Sequence, residues 1–118
     1  MARRYKVYAA ETGTVYQYFF ASSRLVKRPE GQGAGSDYIF VVTPDQRPPL
    51  ILRVFISERA LETWRQAHGR ALDSNELYAV AKMRLFRGFD EMERLRDDWL
   101  NLLVDEGNVE DLLAPLDL

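Results

Sequence analysis

The sequence predicts an α+β fold, a four-stranded antiparallel β-meander followed by helices packed on one face of the sheet. Three observations predict it. Four segments of the first half are rich in β-branched and aromatic residues. The connections between them are short and marked by glycine or proline. After residue 57 the apolar spacing changes from a period of two to a helical period and does not return. Strands first and helices afterwards make an α+β order, and short connections make the strands antiparallel. By length, residues 1–118 are a single domain.

The first strand is expected at about 3–10. Tyr5, Val7 and Ala9 alternate there with Arg4, Lys6 and Tyr8. Glu11-Thr12-Gly13 has the form of a three-residue hairpin loop. The second strand, about 14–26, carries Tyr16, Tyr18 and Phe20 on one face and Val15, Phe19 and Ala21 on the other, which suits a central strand. Lys27 to Ser36, with three glycines, reads as a loop before a third strand at 37–43. Prolines 44, 48 and 49 bound a stiff connection. The fourth strand, 50–56, places Leu50, Leu52, Val54 and Ile56 on one face.

Ser57 is the expected cap of a helix over 58–68, with Ala60, Leu61, Trp64 and Ala67 as its stripe and Gly69 as its stop. Asp73 followed by Glu76 is a capping-box pattern. From it a long helix is expected over 74–104. Tyr78, Leu85, Met92 and Trp99 are seven apart, and Ala81, Gly88, Leu95 and Leu102 fill the position three later. Such a helix spans roughly 45 Å, longer than a compact domain about 35 Å across. It must bend, Gly88 being the natural place, or offer its overhanging seam to another chain. A short helix at 109–114, capped by Asn108 and stopped by Pro115, completes the order.

Hydrophobic content of 47% and charged content of 29% belong to an ordinary globular chain. The chain has no cysteine, which removes disulfides, thiolate catalysis and thiolate metal sites and fits a cytoplasmic location. The basic start lacks the apolar stretch of a signal peptide, and no run is long enough for a membrane span, so no membrane partner is expected. Charge is polarised: residues 1–28 hold six Lys/Arg and one Glu, a net of +5, and residues 73–118 hold five Lys/Arg and twelve Asp/Glu, a net of −7. Ends of opposite sign can attract each other within one chain or between two.

No catalytic constellation is present, and neither enzyme activity nor a cofactor is expected. His68 is the only histidine and sits at a helix end, so a histidine-centred metal site is excluded. The glycine loop is followed by a strand rather than a helix, unlike a phosphate-binding loop, though it could act as a flap. The acidic residues of the second half fall on polar helix faces. Asp105-Glu106-Gly107-Asn108 is too short for a calcium loop.

The leading expectation is a non-enzymatic interaction or structural module, a homodimer or a binder of a protein partner, joined through Leu95, Trp99, Leu102 and Leu103. A sheet covered by helices on one face only leaves a second face rich in rings. A nucleic-acid single strand is the alternative occupant, with Arg4, Lys6, Tyr8, Tyr16, Tyr18 and Arg24 supplying cations and stacking rings, although the sequence pI of about 5.4 argues against it. A small-molecule pocket between sheet and helices is the third.

Overall fold

The computed structural model describes residues 5–28, 33–91 and 101–118. Five strands lie in the order β1-β2-β3-β4-β5 in one curled, mixed sheet. β1 (Lys6–Ala9), β2 (Val15–Arg28), β3 (Gly33–Pro44) and β4 (Leu50–Ser57) form the expected antiparallel meander. Three helices follow: α1 (Glu58–His68), α2 (Ser74–Glu91) and α3 (Val109–Leu113), the last continued by a 3-10 turn at Ala114–Leu116.

The caps read in the sequence are formed. The Ala60 N–H donates to Ser57 Oγ at 3.0 Å, and the Gly69 N–H donates to the Arg65 carbonyl from a left-handed φ of 75°. At α2 the capping box is reciprocal. Glu76 N–H donates to Asp73 Oδ1 at 2.8 Å, and Asp73 N–H donates to Glu76 Oε1 at 3.0 Å. Arg70 makes two further bonds to the Glu76 carboxylate, at 2.9 and 2.8 Å. Together the Arg70 guanidinium and the Asp73 amide bring the Glu76 carboxyl down to about 2.

α1 and α2 lie on the face formed by Tyr16, Tyr18, Tyr38, Phe40, Val42, Leu52, Val54 and Ile56, each buried in the core, and α3 packs against both helices. α2 meets that face with rings. Phe89 stacks on Tyr16 at 4.2 Å, Phe86 stacks on Tyr8 at 4.3 Å, and Tyr78 meets Phe20 edge-on at 5.2 Å. Trp64 of α1, 1% exposed, fills the other half.

One prediction fails decisively. Asn101–Val104 is not the end of a long helix but a strand, β5, paired parallel to β4 in the register Arg53↔Asn101, Val54↔Leu102, Phe55↔Leu103 and Ile56↔Val104. The described part of α2 ends at Glu91, and the expected helical residues between 92 and 100 lie outside the described residues. A four-residue apolar run has no periodicity of its own, and Leu102 happened to fall on the heptad. The signal that a strand was missing sat in β4, whose Leu52, Val54, Phe55 and Ile56 are buried on both faces as in an interior strand. Gly88 has a second role. It lies inside α2, where an added Cβ would stand 2.9 Å from Leu102 Cδ1, so its lack of a side chain lets β5 approach the helix.

The glycine loop is also shorter than expected. Lys27 pairs with Ala34, Arg28 with Gly33, and Gly35 lies between Val26 and Ser57. An added Cβ at Gly35 would stand 2.3 Å from the Ile56 carbonyl oxygen and 2.7 Å from the Phe55 ring. Close approach of backbone, rather than looseness, places glycine there. A β-bulge between Phe20 and Ser22 absorbs the extra residue of the long β2–β3 hairpin.

Candidate interaction surface

No helix among the described residues packs on the opposite face of the sheet. The strand registers place Val7 beside Gln17, Gln17 beside Thr43, and Phe19, Val41 and Ile51 in one row across three strands. Val7 is 64% exposed, Ile51 56% and Val15 40%. Phe19, Ile39 and Val41 are half-buried among them. Tyr5 closes one side by meeting Phe19 edge-on at 4.9 Å. Arg53 and Asn101 stand at the other side, next to Ile39. The middle of the patch has no charged side chain.

The sheet's two edges are finished differently. At β5 the Leu103 carbonyl accepts Arg84 Nε at 3.0 Å and Asn108 Nδ2 at 2.8 Å. Side chains thus occupy a group that another strand would use. Burial lowers the Arg84 guanidinium below its ordinary range, and its buried Nη1 has no hydrogen-bond partner among the described residues. At the other side, β1 pairs with β2 only from Val15 to Tyr18. Beyond that point the outer edge of β2 has no strand beside it among the described residues.

The candidate residues fall in three places. Tyr16 and Tyr18, 5% and 3% exposed, are core residues under α2, so they offer no stacking platform. Burial raises both phenols above their ordinary range. Tyr8 is held between β1 and α2, where its O–H donates to Asp90 Oδ2 at 2.7 Å. The other Asp90 oxygen accepts the Glu11 N–H at 3.0 Å. Burial first, then the Asp90 bond and charge, push the Tyr8 hydroxyl up to about 12. This pair joins the two ends of the chain, and no ion pair among the described residues links a cation of 5–28 to an acid of 73–118. Lys6 lies beside Lys82, whose ammonium is lowered by burial and then by Lys6 itself. Arg24 is exposed on the β2 arm.

Leu102, 2% exposed, belongs to the protomer's own core, and Leu103 is half-buried on β5. They no longer share a helical seam. Leu95, Trp99 and Arg4 lie outside the described residues.

Two clefts accompany these surfaces. One, of about 490 Å³, lies along α1 between Arg59, Leu61, Glu62, Arg65, Leu72 and Leu77, and no sheet residue lines it. The other, of about 320 Å³, lies over Tyr8, Met83, Phe86, Asp90 and Leu112. In the second, Asp90 holds the Tyr8 hydroxyl and the Glu11 N–H, so both its oxygens are already engaged. His68 stacks on Trp64 at 4.2 Å and hydrogen-bonds Glu110 at 2.8 Å, tying α1 to α3. Among the described residues no three His, Asp or Glu side chains gather as metal ligands, and no helix is long and apolar enough to cross a membrane.

Residues of the bare face were visible in the sequence only as the second side of a two-sided alternation. Known protein families, curated proteins and solved structures provide no match to this chain.

Proposed function

We infer that this protein is a non-enzymatic interaction module that self-associates through the bare face of its sheet. The single observation that supports it is the apolar row Phe19, Val41 and Ile51 with Val7 and Val15, on a face that no described helix covers. Apolar patches of more than a few hundred Å² mark interaction surfaces. Strands about 4.8 Å apart and residues about 3.3 Å apart give such a face roughly 20 by 20 Å before side-chain relief is added. That is about 400 Å² in projection, half of the ~800 Å² per partner in stable interfaces, and side-chain relief and the rim supply the rest.

A second copy is the occupant that this chemistry favours. The centre of the patch is uncharged, so two like faces meet without repulsion. Sheets pack face to face at about 10 Å, and a two-fold contact needs only one such patch. The surface differs from the helical seam expected from the sequence, because Leu102 is spent inside the protomer.

Sedimentation equilibrium tests the reading. The native chain is expected to be a dimer. The variant Val7→Lys/Ile51→Lys, altered only at exposed positions, is expected to be a folded monomer. A native monomer at high concentration, or an unchanged dimer in the double variant, overturns the assignment.

A further inference from the structure

We propose that the outer edge of β2 between Ser23 and Lys27 receives an extended acidic peptide of a partner protein as an additional strand. The backbone geometry selects the segment. The Asp45 N–H donates to the Val15 carbonyl at 3.0 Å, and the Ala10 N–H donates to the Thr14 carbonyl at 2.9 Å. Before the bulge, therefore, odd-numbered residues of β2 bond to β3 and even-numbered ones face β1, since hydrogen bonds alternate along an antiparallel strand. The register shift between Phe20 and Ser22 exchanges these roles. Ser22, Arg24, Val26 and Arg28 then turn their backbone groups toward β3, and Ser23, Leu25 and Lys27 turn theirs outward.

Three residues in alternation whose outward N–H and C=O groups meet no strand among the described residues are what an incoming strand requires. Native edges of this kind are normally shortened, covered or crowded with charge. Here the β5 edge is closed by Arg84 and Asn108, while the β2 edge carries Leu25 at 83% exposure. Among the described residues, Leu25 is the most exposed of the large apolar side chains.

Charge decides the kind of strand. Arg24 and Lys27 are exposed on the two faces of the segment. Arg28 is neutralised by Asp37 at 2.7 Å and lies over the Phe55 ring at 4.9 Å, so it stiffens the arm and adds little free charge. A second copy of the same edge would bring a second Arg24 and a second Lys27 to one seam, four cations with no acid on the segment to offset them. An acidic strand with an apolar residue to meet Leu25 has complementary chemistry. This site is separate from the bare face, since strand addition extends the sheet sideways.

The probe is a fluorescein-labelled synthetic peptide alternating glutamate and valine, followed by anisotropy, with a lysine–valine peptide as counterpart. The native protein is expected to bind the acidic peptide at least about tenfold more tightly than the basic one, with affinity falling as salt rises. Leu25→Pro removes an outward N–H that no strand of this sheet uses, so the fold is expected to persist by circular dichroism while binding is lost. Arg24→Glu/Lys27→Glu, exchanging two exposed cations, is expected to invert the preference between the peptides. Absence of acidic-peptide binding at low salt, equal binding by a folded Leu25→Pro variant, or unchanged preference in the charge-exchanged variant overturns the proposal. So does conversion of a native dimer to monomer by Leu25→Pro, which would assign the edge to a second copy. Val7→Lys/Ile51→Lys must leave peptide binding intact, so failure of the dimer reading and failure of this one are told apart.

Discussion

Replacing Leu102 by alanine separates a residue of the protomer core from a residue of an interface. Leu102 is 2% exposed, pairs across the sheet with Val54, and occupies the notch left by Gly88 of α2. Truncation removes three carbon atoms, worth about 2.4 kcal/mol of transfer free energy at ~0.8 kcal/mol each. The cavity adds to this, because α2 is held by its stacked rings and cannot collapse fully, so the total is about 3–4 kcal/mol. With a urea slope of roughly 1.5 kcal/mol per molar, the midpoint falls by about 2 M. The difference between variant and native protein is expected to be the same at low and high protein concentration, as befits a defect inside one protomer. A further step closes the cycle. Gly88→Ala destabilises the native background, where its Cβ would meet Leu102 Cδ1 at 2.9 Å, but fills the vacated space beside alanine. A Leu102→Ala variant that unfolds at the native midpoint while its self-association weakens would refute the placement of β5.

Three further outcomes follow from the fold. Gly35→Ala forces a Cβ against the Ile56 carbonyl at 2.3 Å and the Phe55 ring, and is expected to cost about 3 kcal/mol or more in chemical unfolding and to unpair the β2–β3 arm by amide exchange. Arg28→Met leaves the buried Asp37 carboxylate without its 2.7 Å partner and is expected to cost about 2–3 kcal/mol, below the full range for a buried pair because Arg28 is itself a quarter exposed; Arg28→Met/Asp37→Leu should recover most of the loss in the same unfolding assay. Glu76 has its folded pKa depressed from 4.5 to about 2, so its contribution is present above pH 4.5 and is lost as pH falls toward 2. The stability gap between native protein and Glu76→Gln, measured by thermal melts, should close over that interval and stay constant above it.

The legible part of this fold was local. Alternation placed β1 to β4, and Ser57, Gly69, Asp73 and Glu76 marked helix ends by side-chain chemistry that acts within four residues. What escaped was non-local. Asn101–Val104 became a strand because β4 offered an edge nearly fifty residues earlier in the chain, a fact no periodicity within the segment encodes. The glycines at 33 and 35 suggested looseness, whereas Gly35 is required by Phe55 and Ile56 across the sheet and Gly33 by its left-handed φ of 71°. Tyr16 and Tyr18 were read as one ring-bearing face without indication of which side the helices would take. Only the stacking of Phe86 and Phe89 against them makes that choice, and it leaves Val7, Val15 and Ile51 as the surface.

The parallel seam between β4 and β5 also sets the order of events when the chain folds. Neighbouring strands of the meander close over short hairpins, but Arg53 and Asn101 can meet only after the helical segment between them is in place. Loop closure over such a distance is slow rather than costly, since each doubling of length adds only about 0.6 kcal/mol. During that delay the run Leu50 to Ile56 is a strand with one open side and the composition of an aggregation-prone segment. Pro48 and Pro49 at its entrance and Arg53 at its centre act as gatekeepers for that interval. Their value is expected to show in refolding yield rather than in the stability of the finished protein.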